Sequence, residues 1–307
     1  MKVAVTGATG FIGKYVTQAL TSGGHEVIAL GRNQQSLDAL RGPSVAVVAT
    51  DYSEDSLTAA LSGAKAVVHL AGRRMSRGED ALRFWPYAEA NLGATENLLY
   101  AAKRHDVRSF VLASSIAVYS SRNTVPFNER DAAFPITAYG LSKLFAEQLL
   151  ELATRNTAIK ATSLRITAVY GYGEKISQVL MKFVSEANDK RRLVIKGNGQ
   201  VGVDQIYVRD VARAVVAALS EQAPGGVFNI GAGRAFTVSE MAETANAVFG
   251  NAGNVVVEGQ QTGAVRQNFM DIGHAAARLG WTPRWSLREG LEDLRRTWHN
   301  SGPRALK

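Results

Sequence analysis

The sequence predicts an α/β protein with a doubly wound parallel sheet, because strands and helices alternate regularly through its first half. The predicted strands cover 2–6, 26–30, 45–49, 66–70, 108–113 and 160–166, and the predicted helices cover 11–22, 54–62, 88–105 and 138–155. From Gly171 onward the alternation loosens, and short strands mix with helical patterns. In sheets of this kind, ligands bind beyond the carboxyl ends of the strands.

A glycine-rich turn joins the first strand to the first helix in the run MKVAVTGATGFIGKYVTQAL. Gly7 allows a tight turn, Gly10 lets backbone amides approach a pyrophosphate, and Gly13 lets the helix pack close to the strand. The free N–H groups at the helix start, where Phe11 and Ile12 stand, face that anion. This order predicts a Rossmann-type dinucleotide site, although the spacing is G-x-x-G-x-x-G rather than G-x-G-x-x-G. The alternative is a glycine-rich loop that binds no ligand.

A second group of residues is suited to moving a proton to or from a hydroxyl or ketone. Tyr139 and Lys143 stand four residues apart in TAYGLSK, which places them on one face of a helix. An ammonium beside a phenol favours the phenolate, so we expect Lys143 to lower the pKa of Tyr139. Ser115 stands upstream in VLASSIAVY. The alternative is an exposed helical pair that contacts nothing.

The composition favours a cytoplasmic enzyme that acts on a small molecule. The chain has 307 residues, is 46% hydrophobic and contains no cysteine, which excludes disulfides, thiolate metal sites and cysteine nucleophiles. No stretch is long and apolar enough for a transmembrane helix, and the first residues form a strand rather than a signal peptide. The net charge of +8 is dispersed, which indicates a solvated surface or a phosphorylated substrate rather than nucleic acid. His69 lies within a strand and is predicted to be a core histidine, so no metal site is expected.

Eight short motifs occur in a fixed order along nearly the whole chain. They are TGATGFIG, HLAG, SSIAVY, YGLSK, LRITAVYGYG, IYVRDVA, VFNIGAG and LGWTP. With them the chain resembles an extended short-chain dehydrogenase/reductase of the NAD(P)-dependent epimerase/dehydratase family. That family includes nucleotide-sugar epimerases, dehydratases and ketoreductases. The resemblance implies a dinucleotide-binding domain at 1–171 plus about 204–231, and a smaller C-terminal substrate-binding lobe at about 172–203 and 232–307.

The resemblance also implies roles for the proton-transfer residues. Tyr139 donates or removes the hydroxyl proton, Lys143 bonds the nicotinamide ribose, and Ser115 fixes the substrate oxygen. Ser114 is expected to have a structural or secondary role. Hydride then moves between the nicotinamide and a substrate carbon, with the cofactor supplying the difficult chemistry.

The adenosine end of the site indicates which dinucleotide is bound. An NAD enzyme has an acidic residue after its second strand, whereas here Gly31 and Arg32 stand in VIALGRN. A guanidinium can bind a 2′-phosphate, so NADP(H) is favoured and NAD(H) stays possible. The alternative for Arg32 is an exposed loop arginine. Asp51 and Tyr52 resemble the family's adenine-binding pair, and the competing interpretation of Asp51 is a helix N-cap.

Further cofactor contacts are implied at the end of the fourth strand and on the following helix. Leu70, Ala71 and Gly72 are expected to line the cofactor, although the family more often has alanine where Gly72 stands. Asn91 resembles the asparagine beside the nicotinamide half. Asn91 can also be a buried amide bonded to backbone, an interpretation that is compatible with a cofactor contact.

Several positions depart from relatives. Ile116 and Ala117 stand where 4,6-dehydratases carry an Asp-Glu pair, so elimination of water lacks its acid and base. Ala168 replaces a common asparagine and Val203 a common arginine, both of which often contact a sugar nucleotide. The loop after HLAG offers substitute anion contacts or a plain surface cluster, at Arg73, Arg74 and Arg77.

These features favour an NADP(H)-dependent ketoreductase or alcohol dehydrogenase that acts on a sugar-nucleotide-like or other polar hydroxyl or ketone substrate. A nucleotide-sugar 4-epimerase with tightly bound NAD is the alternative enzyme, and a non-catalytic dinucleotide sensor is the alternative of another class. Helices 88–105 and 138–155 are apolar on more than one face, which predicts a homodimer.

Overall fold

A computed structural model describes residues 1–75, 80–174, 178–259 and 265–301. Strands in these ranges are β1 (Lys2–Thr6), β2 (Glu26–Gly31), β3 (Val45–Ala49), β4 (Ala66–His69), β5 (Ser109–Ser115), β6 (Lys160–Ile166), β7 (Ala168–Tyr170), β8 (Leu193–Lys196), β9 (Gly202–Val203), β10 (Gln205–Tyr207), β11 (Gly226–Ile230), β12 (Phe236–Thr237), β13 (Val255–Glu258) and β14 (Gln267–Asn268).

Helices in the same ranges are α1 (Phe11–Ser22), α2 (Gln34–Asp38), α3 (Glu54–Ala60), α4 (Trp85–Tyr87), α5 (Ala94–Lys103), α6 (Ala138–Thr154), α7 (Val179–Asn188), α8 (Val208–Leu219), α9 (Val238–Val248), α10 (Gly273–Leu279) and α11 (Leu287–Ser301). A π-helical segment, Ala88–Gly93, joins α4 to α5, and a 3₁₀ turn, Ile116–Val118, follows β5. None of these helices is both long enough and apolar enough to cross a membrane.

The central sheet confirms the predicted fold class. Its seven strands lie in the order β11-β6-β5-β4-β1-β2-β3, and each neighbouring pair is parallel. Helices cover both faces, so strand residues are buried on both sides: Val3 and Val5 of β1 belong to one core cluster and Ala4 to the other. The order reverses beside β1, which opens a crevice at the carboxyl ends of β1 and β4.

Two elements differ from the sequence prediction in ways that shape this crevice. The predicted helix 88–105 begins instead with the π-helical segment, whose wider turn carries Asn91 into the interior. Strand β5 continues two residues beyond the predicted end at 113, so Ser115 is its last residue.

Smaller sheets and helices lie outside the central sheet in the second half of the chain. They include the sheet β12-β9-β14 and the parallel pair β13-β8. Buried aspartates hold these parts to one another: Asp204 accepts from the backbone N–H groups of Ala232 and Met270, and Asp210 accepts from those of Arg284 and Trp285. Between the smaller elements the chain returns to the central sheet, where β11 pairs with β6.

Candidate active site

The glycine-rich turn at the start of α1 fits a bound pyrophosphate. Gly7 has a φ of 68°, and a Cβ there would lie 2.8 Å from the backbone nitrogen of Ala71, two residues after β4. A Cβ on Gly13 would lie 2.2 Å from the carbonyl oxygen of Gly7. Gly10 caps α1 without a side-chain hydrogen bond, so Phe11 and Ile12 open a helix whose first N–H groups face the crevice. The glycines therefore create a cradle that side chains would fill, as a dinucleotide site requires.

Two of the predicted proton-transfer residues, Tyr139 and Lys143, lie on α6, and Lys143 approaches Gly72 beside this cradle. Helix α6 begins at Ala138, one residue before Tyr139, and Thr137 caps it by accepting from the N–H of Gly140 at 3.0 Å. A Cβ on Gly140 would lie 2.1 Å from the carbonyl oxygen of Ala117, so glycine lets α6 approach the turn that follows Ser115. Ser115 Oγ accepts from the N–H of Ala117 at 3.2 Å, and the Ser115 side chain is close enough to the Tyr139 hydroxyl to lower the pKa of that phenol.

The pKa of Tyr139 behaves differently from the sequence expectation. Burial among neighbouring side chains raises the pKa of Tyr139 above its usual value, while the Ser115 hydrogen bond and the positive charge of Arg74 lower it. The predicted lowering by Lys143 is therefore wrong for this structure. The Lys143 ammonium instead donates to the carbonyl oxygen of Ala113 at 2.9 Å.

Lys143 is buried, and burial lowers its pKa to about 8, while the carboxylate of Glu147 one turn later raises it. Gly72 lies against this lysine. A Cβ at that position would be 3.4 Å from the Lys143 Nζ and 2.8 Å from the Asn91 Oδ1. Glycine at position 72, where the family more often has alanine, thus leaves room for the lysine and the asparagine together.

Asn91 fixes the loop that leaves β4. Its Oδ1 accepts from the N–H of Arg73 at 2.7 Å, and its Nδ2 donates to the carbonyl oxygen of Arg73 at 3.1 Å. The same Nδ2 donates to the hydroxyl of Ser142 at 2.9 Å. Asn91 is therefore a buried amide bonded to backbone, as also expected from the sequence, and it lies directly beside the Lys143 turn. Leu70 and Ala71 precede this loop at the edge of the glycine cradle.

His69 is the predicted core histidine. Its ring nitrogens lie 2.7 Å from the Thr6 hydroxyl and 3.0 Å from the Thr95 hydroxyl. Burial, and after it the charge of Lys143, lowers the pKa of His69 to about 3, so the ring stays neutral. Within the described ranges, no group of three or more potential ligands is arranged to hold a metal ion.

The adenosine end of the crevice is more exposed. Arg32 follows Gly31 at the end of β2 and lies 5.5 Å from the centroid of the Tyr52 ring. Tyr52 has a buried ring and a φ of 68°, and its N–H donates to the Thr50 hydroxyl at 3.0 Å. Asp51 is exposed and accepts from both the N–H and the hydroxyl of Ser53, which lower its pKa.

Comparison with known proteins assigns this arrangement to a family. The sequence profile of the NAD dependent epimerase/dehydratase family matches residues 3–231. The chain belongs to that family. Ile116 and Ala117 form the turn after Ser115 and supply no acid or base there.

Several relatives match over almost the whole chain. A putative UDP-glucose 4-epimerase of Methanocaldococcus jannaschii is 28% identical over 298 residues, which cover 94% of this chain and 96% of that protein. The UDP-N-acetylglucosamine 4-epimerase of Bacillus cereus is 29% identical with a TM-score of 0.86 and coverage of 97% and 96%. The UDP-glucuronic acid 4-epimerase of Bacillus cereus, in complex with UDP-glucuronic acid and NAD, is 26% identical with a TM-score of 0.84 and coverage of 97% and 100%.

This epimerase-family site contains a buried ionic network that the sequence analysis missed. Arg165 on β6 donates to Glu147 on α6 through Nη2 at 2.7 Å, and through Nη1 to the Tyr119 hydroxyl at 2.7 Å. Tyr119 in turn donates to Asn229 at 2.9 Å. Ser114 donates to Glu147, which is consistent with the structural or secondary role expected for it. The sequence does contain a signal for this network, namely a glutamate one turn after Lys143 together with an arginine inside a strand that is otherwise apolar.

Glu174 is a second residue that the sequence analysis missed, and it pairs with Arg74. The Nη2 of Arg74 is 2.7 Å from the Oε1 of Glu174, and Glu174 is only 1% exposed whereas Arg74 is half-exposed. Arg73 points elsewhere, with its guanidinium 5.7 Å from the centroid of the Tyr87 ring. Arg74 is thus not part of a plain surface cluster, and Arg77 lies outside the described residues.

Proposed function

We propose that this protein is a nucleotide-sugar 4-epimerase. The observation that carries the proposal is that Ser115, Tyr139 and Lys143 lie together beside a dinucleotide cradle, in a chain whose relatives of similar length include 4-epimerases. This function replaces the ketoreductase favoured by the sequence as the leading candidate. The reason is that the 4-epimerases match over nearly the whole chain, whereas a dTDP-4-dehydro-6-deoxyglucose reductase of Escherichia coli matches 60% of it, at 31% identity.

The chemistry supplied by a bound nicotinamide is reversible hydride transfer at a sugar carbon. The protein's own residues move the proton. Ser115 orients the substrate hydroxyl toward Tyr139, whose oxygen takes that proton and later returns it. Lys143, beneath Gly72, is placed to hold the nicotinamide ribose. The smaller lobe, at about 172–203 and 232–307, holds the rest of the substrate. The domain at 1–171 plus about 204–231, which contains the central sheet, holds the dinucleotide.

Gly31 and Arg32 favour a second candidate, an NADP(H)-dependent ketoreductase. No carboxylate stands at Gly31 to repel a 2′-phosphate, and the Arg32 guanidinium is exposed beside the Tyr52 ring. Ala168 and Val203 favour the same candidate, because neither apolar side chain can bind a sugar nucleotide as an asparagine or arginine does. In contrast, the structure of the Bacillus cereus UDP-glucuronic acid 4-epimerase contains NAD, which favours NAD(H) as the cofactor.

One experiment separates the two candidates. The dinucleotide retained by the purified protein is identified by mass spectrometry, and UDP-glucose, UDP-N-acetylglucosamine and UDP-glucuronic acid are then incubated without added cofactor. A 4-epimerase retains NAD(H) and converts a sugar nucleotide to its C4 epimer, which NMR detects. A reductase gives no epimer and consumes added NADPH with a ketone. The Tyr139→Phe variant is the control that must lose either activity.

We further propose that the protein forms a homodimer through α5, α6 and the segment before them. Apolar side chains are exposed on this side: Leu82 at 82% and Trp85 at 74%, with Tyr100, Phe145 and Leu152 along the two helices. Sedimentation velocity at micromolar concentration is expected to show a dimer that the Trp85→Glu, Phe145→Glu double variant dissociates. A wild-type monomer would contradict the proposal.

A further inference from the structure

The loop after β4 packs directly on the glycine-rich turn. The backbone nitrogen of Ala71 in this loop is 2.8 Å from the position that a Cβ on Gly7 would take. The next part of the loop is fixed by Asn91, whose amide exchanges two hydrogen bonds with the backbone of Arg73. Arg74 therefore follows a segment that is held in place beside the glycine cradle.

The loop after β7 flanks the same turn from the side of α1. A Cβ on Gly171 would lie 3.3 Å from the Phe11 ring, and a Cβ on Gly173 would lie 3.7 Å from it. One turn further along α1, the Tyr15 hydroxyl donates to the carbonyl oxygen of Tyr172 at 3.1 Å. Because Phe11 is the first residue of α1, this loop lies against the helix start whose free N–H groups would face a pyrophosphate.

An ion pair joins the two loops. The Nη2 of Arg74 donates to the Oε1 of Glu174 at 2.7 Å, although the two residues are one hundred positions apart in the chain. Glu174 is 1% exposed, and a buried carboxylate without a partner is costly, which favours the paired state. The Arg74 side chain is half-exposed, so water competes for its guanidinium. The pair therefore holds the loops together but is able to open.

These contacts form a closed ring around the glycine cradle. The ring of contacts runs from Gly7 to Ala71 in the first loop, crosses from Arg74 to Glu174, and returns through the second loop to Phe11. The contacts at Gly7 and Phe11 involve packed backbone and a ring at a helix start. The ion pair is the link in this ring that side-chain rotation alone can open.

We propose that the Arg74–Glu174 pair is a latch that retains the dinucleotide in the glycine cradle. The latch is closed while the cofactor is held, and it opens for the cofactor to enter or leave. Retention suits a 4-epimerase, because the hydride taken from the sugar is returned by the same nicotinamide and no exchange is needed between turnovers. The proposal deepens the proposed function and rests on it only in that a dinucleotide occupies the cradle.

The first test locks the latch with a cross-link. The chain contains no cysteine, so the double variant Arg74→Cys, Glu174→Cys can be joined specifically by a reducible bis-maleimide. NADH, or NADPH if the wild type retains that dinucleotide, is loaded before cross-linking. Its release into an excess of the oxidised dinucleotide is then followed by fluorescence. Release is expected to stop while the linker is intact and to resume when the linker is reduced.

A matched control cross-links two loops at the other edge of the sheet. Lys65 and Asp106 form an exposed ion pair between the loops that precede β4 and β5. Cross-linking the double variant Lys65→Cys, Asp106→Cys is expected to leave release unchanged. Equal release from the cross-linked and the reduced forms of the Arg74→Cys, Glu174→Cys protein would overturn the proposal.

The second test weakens the latch. The double variant Arg74→Met, Glu174→Gln leaves no unpaired buried charge, and it is expected to release the dinucleotide about tenfold faster, the scale of a lost charged hydrogen bond. Added salt is expected to speed release from the wild type more than from this variant, because salt screens the half-exposed pair. Arg74→Lys keeps the charge and is expected to stay closer to the wild type. An unchanged release rate in the double variant would contradict the latch.

The two tests together separate a latch from a direct contact between Arg74 and the cofactor. Loss of a direct contact would also speed release from Arg74→Met, Glu174→Gln, but cross-linking positions 74 and 174 would then not retain the dinucleotide, which would overturn the proposal. Both tests are made without a sugar nucleotide. A protein that binds a dinucleotide but epimerises no sugar would refute the proposed function and still decide the latch, whereas binding of neither NADH nor NADPH would refute both.

Discussion

The two ends of the proposed dinucleotide crevice are built differently. At the proton-transfer end, Ser115 and Lys143 are buried, each on a strand or helix of the central layers, and Arg165 and Glu147 form an ion pair behind them. At the adenosine end, Arg32 lies on an exposed loop, where its described contact is the Tyr52 ring.

Under the proposed function, the buried residues carry out proton transfer and the exposed residues determine which dinucleotide binds. Residues held by helical spacing and buried bonds keep one geometry, so we expect their substitution to lower turnover strongly. Residues on exposed loops contribute contacts that are individually modest, so their substitution changes which dinucleotide binds and leaves the fold alone. The following substitutions test that contrast, beginning with the largest expected effect.

Tyr139→Phe is expected to lower turnover by about 10²–10⁴-fold, the usual scale for a lost general acid or base. The ring and its contact with Tyr87 remain, so cofactor affinity is expected to stay near the wild-type value. Single-turnover kinetics and calorimetric dinucleotide binding measure the two quantities. Ser115→Ala serves as the comparison and is expected to cost less, because Tyr139 keeps its proton and water partly replaces the missing hydroxyl, whereas the Ser114 hydroxyl stays bonded to Glu147. Wild-type turnover in Tyr139→Phe would place the proton relay elsewhere.

Arg165→Met is expected to destabilise the protein by about 3–5 kcal/mol, because it leaves the buried carboxylate of Glu147 without its partner. Urea unfolding followed by circular dichroism measures the loss. Arg155→Met is the matched control, since Arg155 and Glu151 form an exposed pair at 3.8 Å on the same helix region. Equal losses in the two variants would show that the buried network adds nothing to stability.

Local patterns in the sequence predicted much of the sheet and of the proton-transfer end. The strand–glycine–helix order located the cradle, and the four-residue spacing placed Tyr139 and Lys143 on one face of α6. Both depend on residues close together in the chain. The spacing does not reveal that Tyr139 is surrounded by other side chains. Because that burial raises the pKa of Tyr139, the expected lowering by Lys143 was wrong.

Contacts between distant segments were not predictable in the same way. Arg74 and Glu174 are one hundred residues apart, and no local pattern pairs them. The N-cap of α3 shows that a contact between nearby residues was also predicted wrongly. Asp51 and Ser53 are both good N-cap residues, but Ser53 is the cap and accepts from the N–H of Ser56, while Asp51 bonds to Ser53. The interpretation of Asp51 as the N-cap was therefore wrong, and its adenine contact stays a prediction.

Arg32→Ala is expected to weaken NADPH binding by tenfold or more while leaving NADH binding almost unchanged. The reason is that a charged hydrogen bond to a 2′-phosphate contributes about 1.5–3 kcal/mol. Gly31→Asp is the complementary change and is expected to favour NADH. Its side chain has room, because a Cβ at Gly31 would meet Leu37 at an ordinary 3.5 Å. Isothermal titration calorimetry compares the two dinucleotides, with Arg41→Ala as an exposed control. Equal wild-type affinities would exclude a 2′-phosphate contact.

The smallest expected effect concerns the charge on Lys143. Because burial lowers the pKa of this lysine to about 8, its ammonium is present below that pH and is lost as the pH rises through it. If Lys143 acts as a cation, turnover is expected to decline above about pH 8. Glu147→Gln removes the carboxylate that raises the pKa of Lys143, so the decline is expected to begin at lower pH and to cost a few-fold in turnover near neutrality.

Arg165→Met provides the control for this pH effect. It disturbs the same buried pair but keeps the carboxylate of Glu147 beside Lys143, so the decline should not move to lower pH. The pH dependence of kcat in the three proteins decides between charge and packing. If the decline in kcat moves to lower pH in Glu147→Gln but not in Arg165→Met, the effect is due to the charge of Glu147. The same movement in both variants would mean that the network acts only by holding α6 in place.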